Sequence, residues 1–157
     1  MVQTQRQAVA HIRYLHSHGI SCILYGSTGV SLHLGEYKRS FGDVDLLVPP
    51  EYLQEKWPQL IDLMAAQGFM MVDEREHEFK KDTASVAFAS QSILQRDGIV
   101  LADSDLVQVP LDGYLVTTLT PAAFLRAYQF SARDGYRRTT RKKNDDTVIA
   151  RLKCHGR

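Results

Sequence analysis

Asp43 and Asp45 stand two residues apart at the head of an apolar run, Asp43-Val-Asp-Leu-Leu-Val48. Side chains alternate along an extended strand, so both carboxylates point to one face, roughly 6 to 7 Å apart. Val44, Leu46 and Val48 then point the other way, into a core. Two like charges held side by side repel, and a divalent cation between them relieves that repulsion. Upstream, the apolar run Ile20 to Tyr25 ends in Gly26-Ser27, and an amphipathic segment follows. Backbone N–H groups at such a strand-to-helix turn carry partial positive charge and receive phosphate oxygens. Gly26 permits close backbone approach, and Ser27 adds a hydroxyl donor. Taken alone, the aspartates read as strand-entry acids that pair with Lys38 and Arg39. Joined to Gly26-Ser27 in this order, they predict a metal-phosphate site.

Other chemistry-bearing residues carry less. Arg39 serves equally as a phosphate contact or as a surface ion-pair partner of small energetic weight. Arg133, Arg137, Arg138, Arg141, Lys142 and Lys143 form a basic run that reads first as a solvated loop. His16 and His18 lie at a helix end, where a surface or capping role suits them better than metal ligation. His33 and His77 have no partner at ligand spacing.

The elements that position these residues follow from periodicity and breakers. Ala8, Ile12 and Leu15 recur at helical spacing, predicting a helix from Gln3 to His18 stopped by Gly19. Ile20 to Tyr25 reads as a buried strand, and Ser27 as the N-cap of a helix through Leu34 that Gly35 ends. Asp43 to Val48 is the next strand, closed by Pro49-Pro50. Glu51 to Gln67 reads as one helix that Pro58 splits or kinks. Phe69 to Val72 and Thr83 to Ala89 read as strands, while Asp73 to Lys81 alternates too weakly to assign. Ile99 to Leu101, Leu106 to Val109 and Tyr114 to Thr117 are short strands with Asp-Gly turns at Asp97-Gly98 and Asp112-Gly113. Thr120-Pro121 opens a helix with Phe124 and Tyr128 in the core. Asp145 to Lys153 is the closing helix. The order predicts an α+β (or α/β) fold, a mixed sheet with helices packed on it.

These residues resemble the minimal pattern of the DNA polymerase beta nucleotidyltransferase superfamily. That pattern is a Gly-Ser at a strand-to-helix turn, a short helix, and an Asp-x-Asp pair on the next strand. The run Arg39-Ser-Phe-Gly-Asp43 also resembles the Arg-x-Thr-x-Asp lead-in of small nucleotidyltransferases acting on lincosamides and aminoglycosides, with Phe41 in place of Thr. The Thr-Pro-x-x-Phe-Leu start and the run Arg141-Lys-Lys-Asn-Asp145-Asp are similar to the ending of that group.

The resemblance implies one nucleotidyltransferase-like domain over residues 1–157. It also implies transfer of a nucleoside monophosphate from an NTP to a hydroxyl of a small-molecule acceptor. Asp43 and Asp45 would be catalytic and hold Mg²⁺, and Gly26, Ser27 and Arg39 would bind the nucleotide. Small members often pair, so a homodimer is a further expectation by analogy. In the superfamily a third carboxylate comes from a later strand. Here Ala84 to Ala89 carries none; Ser85 or Ala87 sits at the expected place, and Glu78 or Asp82 would have to supply the acid from a shifted register. The alternative is a catalytically degenerate nucleotide-binding or antitoxin-like regulatory member of the same fold.

Composition sets the outer bounds. The 157 residues suit one domain, with 44% hydrophobic and 24% charged residues. A formal net charge of +1 gives no field that attracts nucleic acid or an anionic membrane. No apolar run approaches the roughly 20 residues of a membrane span. The first residues lack the apolar centre of a signal peptide, and Cys22 and Cys154 read as reduced thiols; both features point to the cytoplasm.

Overall fold

Helical spacing of apolar residues begins the chain, and α1 (Gln3–His16) buries Ala8, Ile12 and Leu15 completely. The protein is described by a computed structural model over residues 3–35, 43–92, 101–133 and 148–154. After α1 come β1 (Ile23–Tyr25), α2 (Gly26–Leu34) and β2 (Asp43–Val48). A 3-10 turn at Pro50–Leu53 precedes α3 (Trp57–Ala66). Then follow β3 (Met70–Asp73), β4 (Glu78–Lys81), β5 (Ala84–Ser90), β6 (Leu106–Leu111) and β7 (Tyr114–Leu119). The last elements are α4 (Pro121–Arg133) and a helix over 148–154, α5.

The strands form one seven-stranded sheet in the order β3-β4-β5-β2-β1-β7-β6. β2 runs antiparallel to β1 and parallel to β5, and β1 runs parallel to β7. The sheet is therefore mixed, and the predicted α+β class holds.

Alternation assigns the two faces. Val44, Leu46 and Val48 of β2 join Phe79 of β4 and Val86 and Phe88 of β5 in a core that α1 and α3 cover through Ile12, Leu15, Leu60 and Met64. On the other face Leu47 and Ile23 pack with Val30 of α2, Phe124 and Ala127 of α4, and Val148 and Leu152 of α5. Arg151 donates to the Leu34 carbonyl at 3.1 Å, so α5 satisfies an orphan acceptor at the end of α2.

Several sequence expectations shift. Pro58 splits the predicted Glu51–Gln67 helix: the first half is only a 3-10 turn, and α3 starts at Trp57 with proline in its first turn, where its missing N–H costs nothing. β4, unassigned from sequence, forms between β3 and β5 because Phe79 is fully buried between flanking charged residues. The residue at the N-cap of α2 is Tyr25 rather than Ser27, and no side chain caps that end. Asp112 and Gly113 both take positive φ, 53° and 75°, as the predicted two-residue hairpin turn requires. The Thr120 hydroxyl accepts from the Ala123 N–H at 3.2 Å, confirming the cap of α4. Leu101 lies outside any strand, and the rest of the Ile99–Leu101 segment and Asp97-Gly98 fall outside the described residues.

Candidate active site

β1 and β2 are antiparallel with Tyr25 opposite Asp45, so the chain leaving β1 turns directly beside that aspartate. Gly26 makes the turn at φ +64°, a left-handed conformation that favours glycine. A Cβ at this position would collide with the carboxylate of Asp45, reaching its Cγ at 3.0 Å. The acid and the turn are thus in van der Waals contact, with glycine as the residue that fits between them.

From Gly26 the chain enters α2 at once. The Thr28 hydroxyl, in its first turn, donates to the Asp43 carbonyl at 3.3 Å. This bond ties the start of the helix to the start of β2. Asp43 is exposed and Asp45 half-buried, on the face opposite Val44 and Leu46. Gly26 and Ser27 are half-buried next to them. Four of the predicted site residues are therefore together. The fifth, Arg39, lies outside the described residues, as does the basic run from Arg137 to Lys143.

The strands beyond the doublet complete this face. β5 places Ser85 opposite Asp43 and Ala87 opposite Asp45. β4 in turn places Glu78 opposite Ala87 and Lys80 opposite Ser85. The buried Ser85 hydroxyl donates to Glu78 Oε2 at 3.1 Å, a pair that weak alternation in the sequence left hidden. Asp82 takes another direction. It sits at φ 53° in the β4–β5 turn and lines a cavity of about 330 Å³ with Gln7 and His11, on the α1 side of the sheet.

Hard oxygen donors suit magnesium, which proteins often hold through one or two carboxylates plus substrate phosphates. Asp43 and Asp45 meet that requirement. Among the described residues no group of three or more His, Cys, Asp or Glu side chains converges as a metal cage. The doublet therefore fits an ion shared with a ligand.

The histidines do structural work. His16 Nδ1 lies 2.6 Å from the Tyr114 hydroxyl in a half-buried contact, and His18 Nδ1 lies 2.9 Å from the Tyr14 carbonyl at the surface. His33 Nε2 meets the Leu119 carbonyl at 2.7 Å. Both cysteines are free; burial pushes the Cys22 thiol up to about 12, while Cys154 is exposed.

The mixed sheet, with its glycine turn set against an acidic pair, is the nucleotidyltransferase fold. An antigenic nucleotidyltransferase-like protein from Paracoccidioides brasiliensis superposes with a TM-score of 0.68 at 17% identity, over 96% of this chain and 75% of that one. The lincosamide antibiotic adenylyltransferase LnuA, solved with lincomycin bound, matches at 0.62 and 17% identity over 98% and 97% of the two chains. The antibiotic-resistance factor ANT(2'')-Ia matches at 0.63 and 12% identity over 99% and 90%. No protein-family model matches the chain. It is 38% identical over 130 residues to the uncharacterized protein YnaI of Bacillus subtilis (strain 168), spanning 81% of this chain and 80% of that protein. The chain belongs to the family of YnaI.

Proposed function

We propose that this protein is a nucleotidyltransferase that moves a nucleoside monophosphate from an NTP to a hydroxyl of a small-molecule acceptor, using Mg²⁺. One observation carries the reading: the Asp45 carboxylate lies against Gly26 at the N-terminal end of α2, with Asp43 on the same face. Acidic groups for an ion and backbone donors for phosphate therefore open onto one stretch of sheet. Asp43 and Asp45 hold the ion, which when bound neutralises charge on the phosphate oxygens. Gly26 and Ser27 bind the polyphosphate from the turn, and Arg39 adds a cation to it. The acceptor hydroxyl attacks the α-phosphorus in line, and pyrophosphate leaves. The likeness to LnuA, solved with lincomycin, and to ANT(2'')-Ia, solved with adenylyl-2''-tobramycin, supports a small-molecule acceptor. Residues 1–157 act as a single domain in the cytoplasm, where thiols stay reduced, and two copies pair.

Calorimetric titration with ATP and Mg²⁺ tests the site. Asp43→Asn and Asp45→Asn each abolish Mg²⁺-dependent ATP binding while leaving the circular dichroism spectrum intact. Unchanged affinity in both variants would sink the reading. A second reading has its own support, since the β5 residues facing the doublet, Ser85 and Ala87, carry no acid. On that view the protein binds nucleotide and regulates a partner without turnover, and ATP bound indefinitely without AMP or pyrophosphate formation is its signature.

A further inference from the structure

We infer that Glu78, reaching in from β4 across β5, is the proton acceptor of the site. The inference rests on the transfer reaction proposed above. When a hydroxyl attacks the α-phosphorus, a new P–O bond forms and the bond to the β-phosphate oxygen breaks. Pyrophosphate leaves, and the hydroxyl proton must go to a base. On the β5 side of the doublet, β5 and β4 present few candidates on that face. Asp43 and Asp45 are committed to the ion. Ala87 has no polar atom, Ser85 is a neutral hydroxyl, and Lys80 is an ammonium with donors and no acceptor. Glu78 remains, and its carboxylate becomes a carboxylic acid as the proton arrives.

Register and a single hydrogen bond place it. Asp45, Ala87 and Glu78 stand in one row across three neighbouring strands, two strand spacings, or roughly 9 to 10 Å, from end to end at Cα. A large side chain on the middle strand would wall Glu78 off, but Ala87 is only a methyl. The 3.1 Å bond from Ser85 draws the Glu78 carboxylate over β5, towards the strand whose Asp43 faces that serine. Glu78 thus leans towards the doublet from the β5 side without joining it. Asp82, the other acid near this turn, lines the cavity under α1 and is excluded by the sheet itself.

The test pairs a rate with an affinity. Full-length protein is mixed with Mg²⁺ and radiolabelled ATP, water serving as acceptor, and AMP release is followed in a single turnover. ATP affinity is measured in parallel by calorimetry. Glu78→Gln lowers the rate about 100-fold, within the usual range for removing a general base, and leaves ATP affinity within about twofold. Glu78→Asp restores part of the rate, which a merely structural defect would not. Ser85→Ala slows release by about threefold to tenfold, the size of one lost hydrogen bond. Asp82→Asn matches the unaltered protein. A wild-type rate in Glu78→Gln, or an equal loss in Asp82→Asn, overturns the inference. Its failure is separable from that of the underlying reading, because that reading stands or falls on the loss of ATP binding in Asp43→Asn and Asp45→Asn, whereas Glu78→Gln is read by rate at unchanged affinity.

Discussion

The two faces of β2 use the same backbone for opposite purposes. Val44, Leu46 and Val48 are at most 1% exposed and lie under α1 and α3. Asp43 and Asp45, interleaved with them, lie on the face that α4 and α5 cover only as far as Leu47. One face gains from losing water. The other keeps two carboxylates within reach of solvent and of the Gly26 turn. The contrast separates what folds the chain from what it does, and substitutions one residue apart should separate likewise.

The largest effect is expected on the closed face. Leu46→Ala empties a fully buried site and should cost about 3 to 4 kcal/mol, read from urea denaturation. Asp45→Asn, its neighbour, should cost far less stability than Leu46→Ala while ATP binding is lost. A large stability loss in Asp45→Asn would mean that the acid is structural, and the contrast between the faces would fail.

The closed side also carries a pH dependence. Burial holds His11 neutral, lowering its pKa from 6.5 to about 4. Below about 6.5 the unfolded chain binds a proton that the folded chain refuses until about 4. The stability is therefore present in full above 6.5 and is lost as pH falls towards 4. The total is about 3 kcal/mol at about 1.36 kcal/mol per unit. His11→Leu should flatten denaturation midpoints measured across this window. A slope unchanged by the substitution would assign the acid sensitivity to other groups.

The doublet was legible in the sequence because chemistry and periodicity coincided there. An Asp-x-Asp pair on an apolar run fixes its own face, and the strand bounds, Asp43–Val48, agree with those read from the pattern. The glycine turn was legible for a similar reason, since a single residue type tolerates its backbone. β4 was not legible. Only Phe79 of its four residues is buried, so Glu78 and Lys80 look like an ordinary charged loop until β3 and β5 flank them. Register across three strands is a tertiary property, and the Ser85–Glu78 bond depends on it. Ser27 as a cap failed because Gly26 already begins the helix, leaving Tyr25 at the capping position.

Where the faces meet, at β1, smaller effects sharpen the comparison. Gly26→Ala forces a left-handed residue with a side chain against the Asp45 carboxylate. It should cost about 2 kcal/mol, because that conformation alone carries about 1 to 2 kcal/mol for a residue with Cβ. ATP affinity should fall with it, since relief of the clash displaces the acid; intact affinity would detach the turn from the site.

The smallest effect belongs to Thr118, fully buried on β7, whose hydroxyl donates to the Leu24 carbonyl at 2.7 Å. Leu24 and Thr118 are also the paired residues through which β1 and β7 join. Thr118→Val keeps the shape but removes the donor, so stability should drop by about 1 kcal/mol. ATP affinity should stay unchanged, because the lost bond anchors β1 on the side away from β2. Weakened ATP binding in this variant would show that the register of β1 against β7 also sets the distance between Gly26 and Asp45, and the scaffold could then no longer be treated as independent of the site.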